Sequence, residues 1–201
     1  MKPIPRLSSR KAKILASAKR LMLEKGYVAT TVDEICADAE VSKGSFFHHF
    51  KNKEEMGKEL VECVAAASRE KMTEGIRATA TDDPLDRVYA YLDWMVKMSR
   101  GPESKGCLIG TFAQELSQSH PQIREVCQNN FKRNLQVFKK DLAAAKSKYA
   151  PKASFDVTGL ADCFMAIFQG TMILMKANQD CSLMEKTITH YRGYLEHLFG
   201  R

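Results

Sequence analysis

The sequence predicts an all-α protein of about nine helices, with a small helical domain at the N-terminus and a larger helical domain after it. Signals for helix starts recur along the chain, whereas the Asn-Gly and Asp-Gly turns that commonly join β-strands are absent from the sequence. Apolar residues also recur at helical spacing, as in Ile14, Ala18, Leu21 and Met22. At 201 residues the chain is long enough to bury a substantial core.

Capping residues and prolines set the predicted helix boundaries. The segments Thr31-Val-Asp-Glu34 and Ser182-Leu-Met-Glu185 fit the capping-box pattern, in which a hydroxyl and a carboxylate satisfy each other's backbone N–H groups. Asp83 precedes a proline that suits the first helical position, and Asn52 can cap a further helix. The predicted helices cover residues 9–25, 32–39, 43–49, 53 to the late seventies, 84–99, 107 onward, 121–147, 156–177 and 183–199.

The positive charge is concentrated at the N-terminal end of the chain. The net charge is +7, and the residues up to Lys58 hold 12 basic against 7 acidic side chains. The rest of the chain is close to neutral, with 19 basic against 17 acidic side chains. A basic front end on a near-neutral body favours a polyanionic partner for that end, although a merely soluble basic surface would look the same.

Cysteine usage and hydropathy bear on the cellular compartment. The six cysteines form no C-x-x-C pair, so neither a zinc ribbon nor a thioredoxin-type motif is expected, and no disulfide framework is indicated. We find no apolar run of about 18 residues and no signal peptide, so we expect no membrane span. The sequence therefore predicts a cytoplasmic protein.

A helix-turn-helix is predicted near the N-terminus. The helix at 32–39 and the helix at 43–49 are joined by a short turn, in which Val41 can fill the space between them. Ser42 can cap the second helix, which is too short and polar to be stable alone. In a helix-turn-helix, the second helix enters the major groove of DNA.

Four segments resemble the TetR family of bacterial regulators, in the order and spacing that the family shows. They are Gly26-Tyr27, Thr30-Thr-Val-Asp-Glu-Ile35, Val41-Ser-Lys-Gly-Ser-Phe-Phe-His-His-Phe50 and Lys51-Asn-Lys-Glu54. The resemblance implies a DNA-binding domain over residues 8–68, with the helix-turn-helix at about 31–50. It also implies a helical ligand-binding and dimerisation domain over residues 69–201.

The same resemblance implies DNA-binding roles for particular side chains. They are Thr31, Lys43, Gly44, Ser45, Phe46, Phe47, His48 and Lys53. Thr31, His48 and Lys53 would contact backbone phosphates, which position a protein without reading sequence. The residues that open the second helix would reach base edges, since lysine can donate to guanine and serine to several bases.

The phenylalanines of this segment have different expected roles. Phe46 is expected either to contact DNA or to belong to the core, as is Phe50. Phe47 stands where the family usually has tyrosine, so a hydroxyl contact to a phosphate is replaced by apolar contact with a sugar or a thymine methyl group. The neighbouring His48 and His49 point different ways on a helix, so a metal site is not expected there.

The last two helices are expected to form a dimer interface. Both are apolar over much of their circumference, which requires a partner for their outer faces. The resemblance implies a four-helix interface between two copies and a near-palindromic operator, with the two recognition helices ~34 Å or somewhat more apart. A wholly intrachain core is the alternative.

An effector site is also implied by the resemblance. The candidate residues for effector binding or sensing are Trp94, Met98, Cys107, Phe112, Phe168, Met172 and Lys176. Aromatic and methionine side chains suit an apolar ligand, but an ordinary helical core has the same composition. Cys107 follows Lys105-Gly106 at a helix start, which favours a reactive thiolate, and a small buried thiol is the alternative.

An enzyme is not expected. The sequence lacks a phosphate-binding glycine loop, H-E-x-x-H and G-x-S-x-G, and none of the five histidines is an obvious partner for a Cys107 nucleophile. No cofactor and no metal are predicted. We therefore predict a DNA-binding transcriptional regulator, a repressor by family resemblance. A regulator without a small-molecule effector and a thiol-dependent enzyme are the alternatives.

Overall fold

A computed structural model describes residues 9–79, 81–100 and 106–201 of the chain. Over these residues the fold is all-α, as predicted, and contains no β-strand. The nine helices observed there are α1 (Ser9–Lys25), α2 (Val32–Asp38), α3 (Lys43–His49), α4 (Lys53–Arg77), α5 (Pro84–Ser99), α6 (Leu108–Leu116), α7 (Pro121–Tyr149), α8 (Val157–Asn178) and α9 (Leu183–Phe199).

Most of the predicted caps are present. The Thr31 hydroxyl accepts from the Glu34 N–H while the Glu34 carboxylate accepts from the Thr31 N–H, which completes the capping box. Asp83 caps α5 and Asn52 accepts from the Glu55 N–H at 2.8 Å. The capping box predicted at Ser182 is wrong. Ser182 already has helical dihedral angles, whereas a capping side chain requires an extended backbone to reach the first turn.

Of the described residues, the first compact unit contains 9–68 and 107–131. In this unit α1 packs against α2, α3 and α6 around a core that includes the fully buried Ile14 and Phe112. The predicted boundary at residue 68 separated 107–131 from this core. These residues belong to it because Leu108, Phe112 and Ile123 bury their side chains among those of α1 and α4.

Of the described residues, the second compact unit contains 69–79, 81–100, 106 and 132–201. In this unit α9 packs against α5 and α8. An aromatic cluster fills the interior: Phe138 lies 4.7 Å from Tyr91 and 4.8 Å from Phe164 between ring centroids, and Tyr191 lies 5.6 Å from Phe164. Aromatic pairs at these separations add to the stability that burial of their area provides.

Helix α8 is more apolar than the sequence analysis allowed. It is long and apolar enough to cross a membrane by length and composition, with a mean hydropathy of 1.5 over its most apolar window. The expectation that no such run exists is therefore corrected. Much of the apolar surface faces outward, since Ile173 and Leu174 are about half exposed. Dimerising helices meet the same criterion, because they too bury apolar faces outside their own chain.

Candidate DNA-binding site

The turn between α2 and α3 is fixed by its backbone and by one cap. Glu40 adopts a left-handed conformation with φ of 53°, which costs a non-glycine residue about 1 kcal/mol. The Val41 N–H then donates to the Cys36 carbonyl at 3.0 Å, which closes the turn. Ser42 caps α3 by accepting from the Ser45 N–H at 3.1 Å. The start of α3 is therefore held in place against α2.

Helix α3 has one buried face and one exposed face. Phe46 is fully buried and lies 5.4 Å from the Phe50 ring, so its side chain belongs to the core. The prediction that Phe46 contacts DNA is corrected accordingly. The exposed face carries Lys43, Gly44, Phe47 and His48, and the Phe47 ring is 54% exposed. A helix with this division can rest on its core while its outer face enters a groove.

Lys43 forms an ion pair with Asp33 across the helix-turn-helix. The Lys43 ammonium lies 2.8 Å from the Asp33 carboxylate, and both side chains are more than half exposed. The hydrogen bond and the charge of Asp33 raise the pKa of Lys43, which stays cationic. Because water and salt screen such a pair, the ammonium can exchange Asp33 for a DNA acceptor. No pattern in the sequence predicted this pairing.

The turn at residues 26–28 is linked to Lys53 directly and to Thr31 through the neighbouring Thr30. The Thr31 hydroxyl is occupied by the capping box, whose Glu34 carboxylate has its pKa lowered to about 2, chiefly by the Lys25 ammonium. Lys53 is half-buried, with its ammonium 4.3 Å from the Tyr27 ring centroid and 3.5 Å from the Val28 carbonyl. Burial lowers the pKa of Lys53. Two of the three predicted phosphate contacts, Thr31 and Lys53, are therefore already held by protein groups.

The histidines of α3 stand in a basic environment. The rings of His48 and His49 lie 5.0 Å apart, edge to face. Burial and then the nearby His48, Lys11 and Arg10 charges lower the pKa of His49. The described residues include no cluster of three or more His, Cys, Asp or Glu side chains that could hold a metal ion.

The predicted effector residues fall into both compact units. Cys107 and Phe112 belong to the first unit, where Cys107 is the N-cap of α6 and Phe112 is fully buried against Tyr27. Trp94, Met98, Phe168, Met172 and Lys176 belong to the second unit. Trp94 packs tightly on α4, since its indole Cδ1 lies 2.5 Å from the position that a Cβ on Gly75 would take.

An open groove of about 330 Å³ lies on the surface of the second unit, between α8 and α9. It is lined by Cys163, Ile167, Thr187, His190, Tyr191 and Tyr194. None of these is a predicted effector residue. The predicted effector residues therefore stay a prediction.

Comparison with known proteins matches both halves of the chain to one family. Residues 14–60 match the family of bacterial regulatory proteins called tetR, and residues 84–191 match the tetracyclin repressor-like C-terminal domain. Among curated proteins, the repressor DhaR of Mycobacterium sp. strain GP1 is 26% identical over 88% of this chain and 87% of its own length. The repressor NemR of Escherichia coli K12 is 21% identical over 90% of this chain and 92% of its own length.

Solved structures show the same fold. The reduced form of E. coli NemR superimposes with a TM-score of 0.77 at 22% identity, covering 92% of this chain and 97% of that one. The regulatory protein TetR of Rhodobacter sphaeroides gives 0.79 at 22% identity, covering 92% and 98%.

The helix-turn-helix, with its exposed second helix, and the match to the family model identify the protein as a DNA-binding regulator. The match to the tetracyclin repressor-like domain spans more than half of the sequence. The chain therefore belongs to the TetR family, whose members bind DNA and form homodimers.

The cap on α3 provides a first test of this geometry. Ser42→Ala removes the acceptor for the Ser45 N–H, and loss of such a cap costs about 1 kcal/mol. Because α3 has only seven residues, we expect a lower melting temperature and weaker DNA binding. Ser42→Thr keeps the hydroxyl and is the control. Thermal melts measure the stability, and fluorescence anisotropy with a labelled DNA duplex measures the binding. If Ser42→Ala kept the parent's melting temperature and DNA affinity, the assignment of Ser42 as the cap that supports α3 would be contradicted.

Proposed function

We propose that this protein is a cytoplasmic transcriptional repressor that binds a near-palindromic operator as a homodimer and leaves it when an effector binds or modifies the protein. The exposed face of the capped helix α3 carries the proposal. It presents a lysine, a glycine and an apolar ring on a rigid support, as major-groove readout requires. The names of DhaR and NemR as repressors support repression rather than activation.

Binding to the DNA upstream of the protein's own gene tests this function. At fixed moderate salt we expect that fragment to bind at least about a thousandfold more tightly than random DNA. Equal affinity for both fragments would argue against an operator there.

Lys43→Met separates base reading from phosphate contact. Losing a contact to a base edge should weaken operator binding about tenfold or more and random-DNA binding much less. Lys140→Met removes the same charge from an exposed position on α7 and should leave both affinities near those of the parent. If Lys43→Met weakened both affinities by the same factor, Lys43 would contact phosphate alone.

The outer faces of α8 and α9 support a homodimer. Exposed Ile173, Leu174 and Tyr194 lie on these faces, and burying them requires a further surface. Gly170 and Gly193 lie inside the two helices, where glycine costs about 1 kcal/mol relative to alanine. Apart from their chain neighbours and the nearby backbone of their own helices, no atom of the described residues lies within 4 Å of where their Cβ atoms would be. Close approach of a second copy would account for both glycines.

Gly170→Leu tests the interface without disturbing the single chain. A Cβ at this position has open space beyond its own helix backbone and chain neighbours, so we expect the helix content to be unchanged. Overpacking an interface typically costs 1–3 kcal/mol, so the dimer dissociation constant should rise by about tenfold or more. Analytical ultracentrifugation measures it, with Ala144→Leu on exposed α7 as the control. A Gly170→Leu dimer as tight as the parent's would place the interface elsewhere.

Cys107 is the proposed sensor for an electrophilic or oxidising effector. Its sulfur caps α6, accepting from the Gly110 N–H at 3.4 Å, so a group added to the sulfur would compete with this hydrogen bond. Cys127 is a poorer candidate, because burial raises the pKa of its thiol to about 11. Similarity to NemR, solved in a reduced form, supports redox chemistry. Modification would disrupt the cap, displace α6 and weaken DNA binding.

A thiol-reactive probe tests the sensor. N-ethylmaleimide should weaken operator binding by the parent protein, and Cys107→Ser should be insensitive, with Cys163→Ser, an exposed thiol, as the matched control. A Cys107→Ser protein that responds like the parent would exclude the sensor. A parent protein that does not respond would favour a reversible apolar ligand, for which Trp94, Met98, Phe168 and Met172 remain candidates beside Phe112 and Lys176.

A further inference from the structure

The turn between α1 and α2 is held by a carboxylate that lies 87 residues further along the chain. The Tyr27 N–H and the Val28 N–H each donate to one oxygen of Glu115, both at 2.7 Å. Two hydrogen bonds to one carboxylate are charge-assisted and fix the direction of both N–H groups. Glu115 lies on α6, within the same compact unit.

The turn is built to receive this carboxylate. Gly26 has a φ of 90°, and a Cβ there would lie 3.0 Å from Glu115 Oε2, so a larger residue would be both strained and crowded. The Tyr27 ring packs edge-on against Phe112 and His120 at 5.3 and 5.4 Å. Burial, Glu54 and Glu115 raise the pKa of Tyr27 to about 12, so it stays neutral. The turn is therefore anchored by both its backbone and its one large side chain.

The other side of the turn carries two predicted phosphate contacts. The Lys53 ammonium contacts the Tyr27 ring and the Val28 carbonyl, so its position follows that of the turn. Thr30 is fully buried and its hydroxyl donates to the Gly26 carbonyl at 2.7 Å, which links the turn rigidly to Thr31. A shift of the 26–28 backbone would thus move Thr31 and Lys53 together.

We propose that Glu115 is a positioning residue for DNA binding, which acts through the turn at 26–28 to place Thr31 and Lys53 against the phosphate backbone. The inference rests on the proposed function and adds its regulation. Cys107 caps the same nine-residue helix that carries Glu115. A displacement of α6 that begins at Cys107 draws the carboxylate away from the two N–H groups and releases the turn.

The sign of the effect distinguishes positioning from simple electrostatics. Glu115→Gln removes a negative charge, which by itself strengthens binding to a polyanion. The amide keeps one acceptor and places a donor where the second N–H points, so the turn loses its anchor. We expect operator binding weaker by roughly tenfold in spite of the charge. Glu125→Gln, an exposed carboxylate of α7 in the same unit, is the control and should bind as tightly as the parent or slightly more tightly.

Operators that carry one methylphosphonate at a time show which phosphates the protein contacts. If Glu115 only stabilised the fold, its substitution would not change which phosphates are contacted. Each substitution removes the charge of one phosphate, and the parent should lose affinity at the phosphates that the protein contacts. In Glu115→Gln the penalty at one or two phosphates in each half-site should disappear, while the other penalties remain. Glu115→Asp is the second variant, to be measured if Glu115→Gln does not fold. It keeps the charge but is too short to reach both N–H groups, so the affinity penalty at the same phosphates should disappear.

The outcomes separate this inference from the proposed function. A Glu115 variant with the parent's methylphosphonate profile would overturn the positioning role, whatever its overall affinity. A parent protein that does not prefer the operator to random DNA would instead overturn the proposed function, and the scan would have no contacts to report.

Discussion

The DNA-reading surface depends on the burial of Phe46 and Phe50 against α1. Helix α3 has seven residues, and an isolated helix of that length is unstable in water because nucleation is costly. Fully buried Phe46 fixes the rotation of α3 about its axis, and Phe50 fixes its end, beside Ile14 and Ile35 in one core. The rotation of α3 decides which side chains face outward. Lys43 and Phe47 are exposed because Phe46 is not.

The same core joins α6 to the helix-turn-helix. Phe112 of α6 lies in it and contacts Tyr27, while Glu115, less than one turn further along α6, binds the backbone beside Tyr27. A seven-residue recognition helix offers little resistance of its own, so its alignment follows its supports. The proposed regulation acts through the turn instead: a displacement of α6 would move Glu115 away from the Tyr27 and Val28 N–H groups and so disturb the contacts proposed for Thr31 and Lys53.

Local signals were enough to predict the helices and the helix-turn-helix. Capping patterns at Thr31 and Asp83 and the proline after Asp83 located α2 and α5, and the four family segments located the DNA-binding helix. Phe46 could not be assigned from sequence, since an aromatic residue on a short helix suits both a core and a groove. Its burial depends on the rotation of α3, which only packing determines.

Contacts between distant parts of the chain left no readable signal. Neither the pairing of Glu115 with the turn at 26–28 nor the grouping of residues 107–131 with the N-terminal unit follows from spacing or composition. The Asp33–Lys43 pair was missed for a similar reason, because it joins two helices across a turn whose geometry depends on the left-handed Glu40. The capping box predicted at Ser182 is absent because the sequence pattern specifies only residue types, whereas a cap also needs an extended backbone.

Selection from a pool of random duplexes tests the central claim, sequence-specific binding by a dimer, most directly. The purified full chain is incubated with the pool at moderate salt, and the bound duplexes are amplified and sequenced over several rounds. We expect enrichment of a near-palindrome with half-sites about one helical turn, ~34 Å, or somewhat more apart. Enrichment of no motif, with retention of duplexes that depends only on salt, would contradict it.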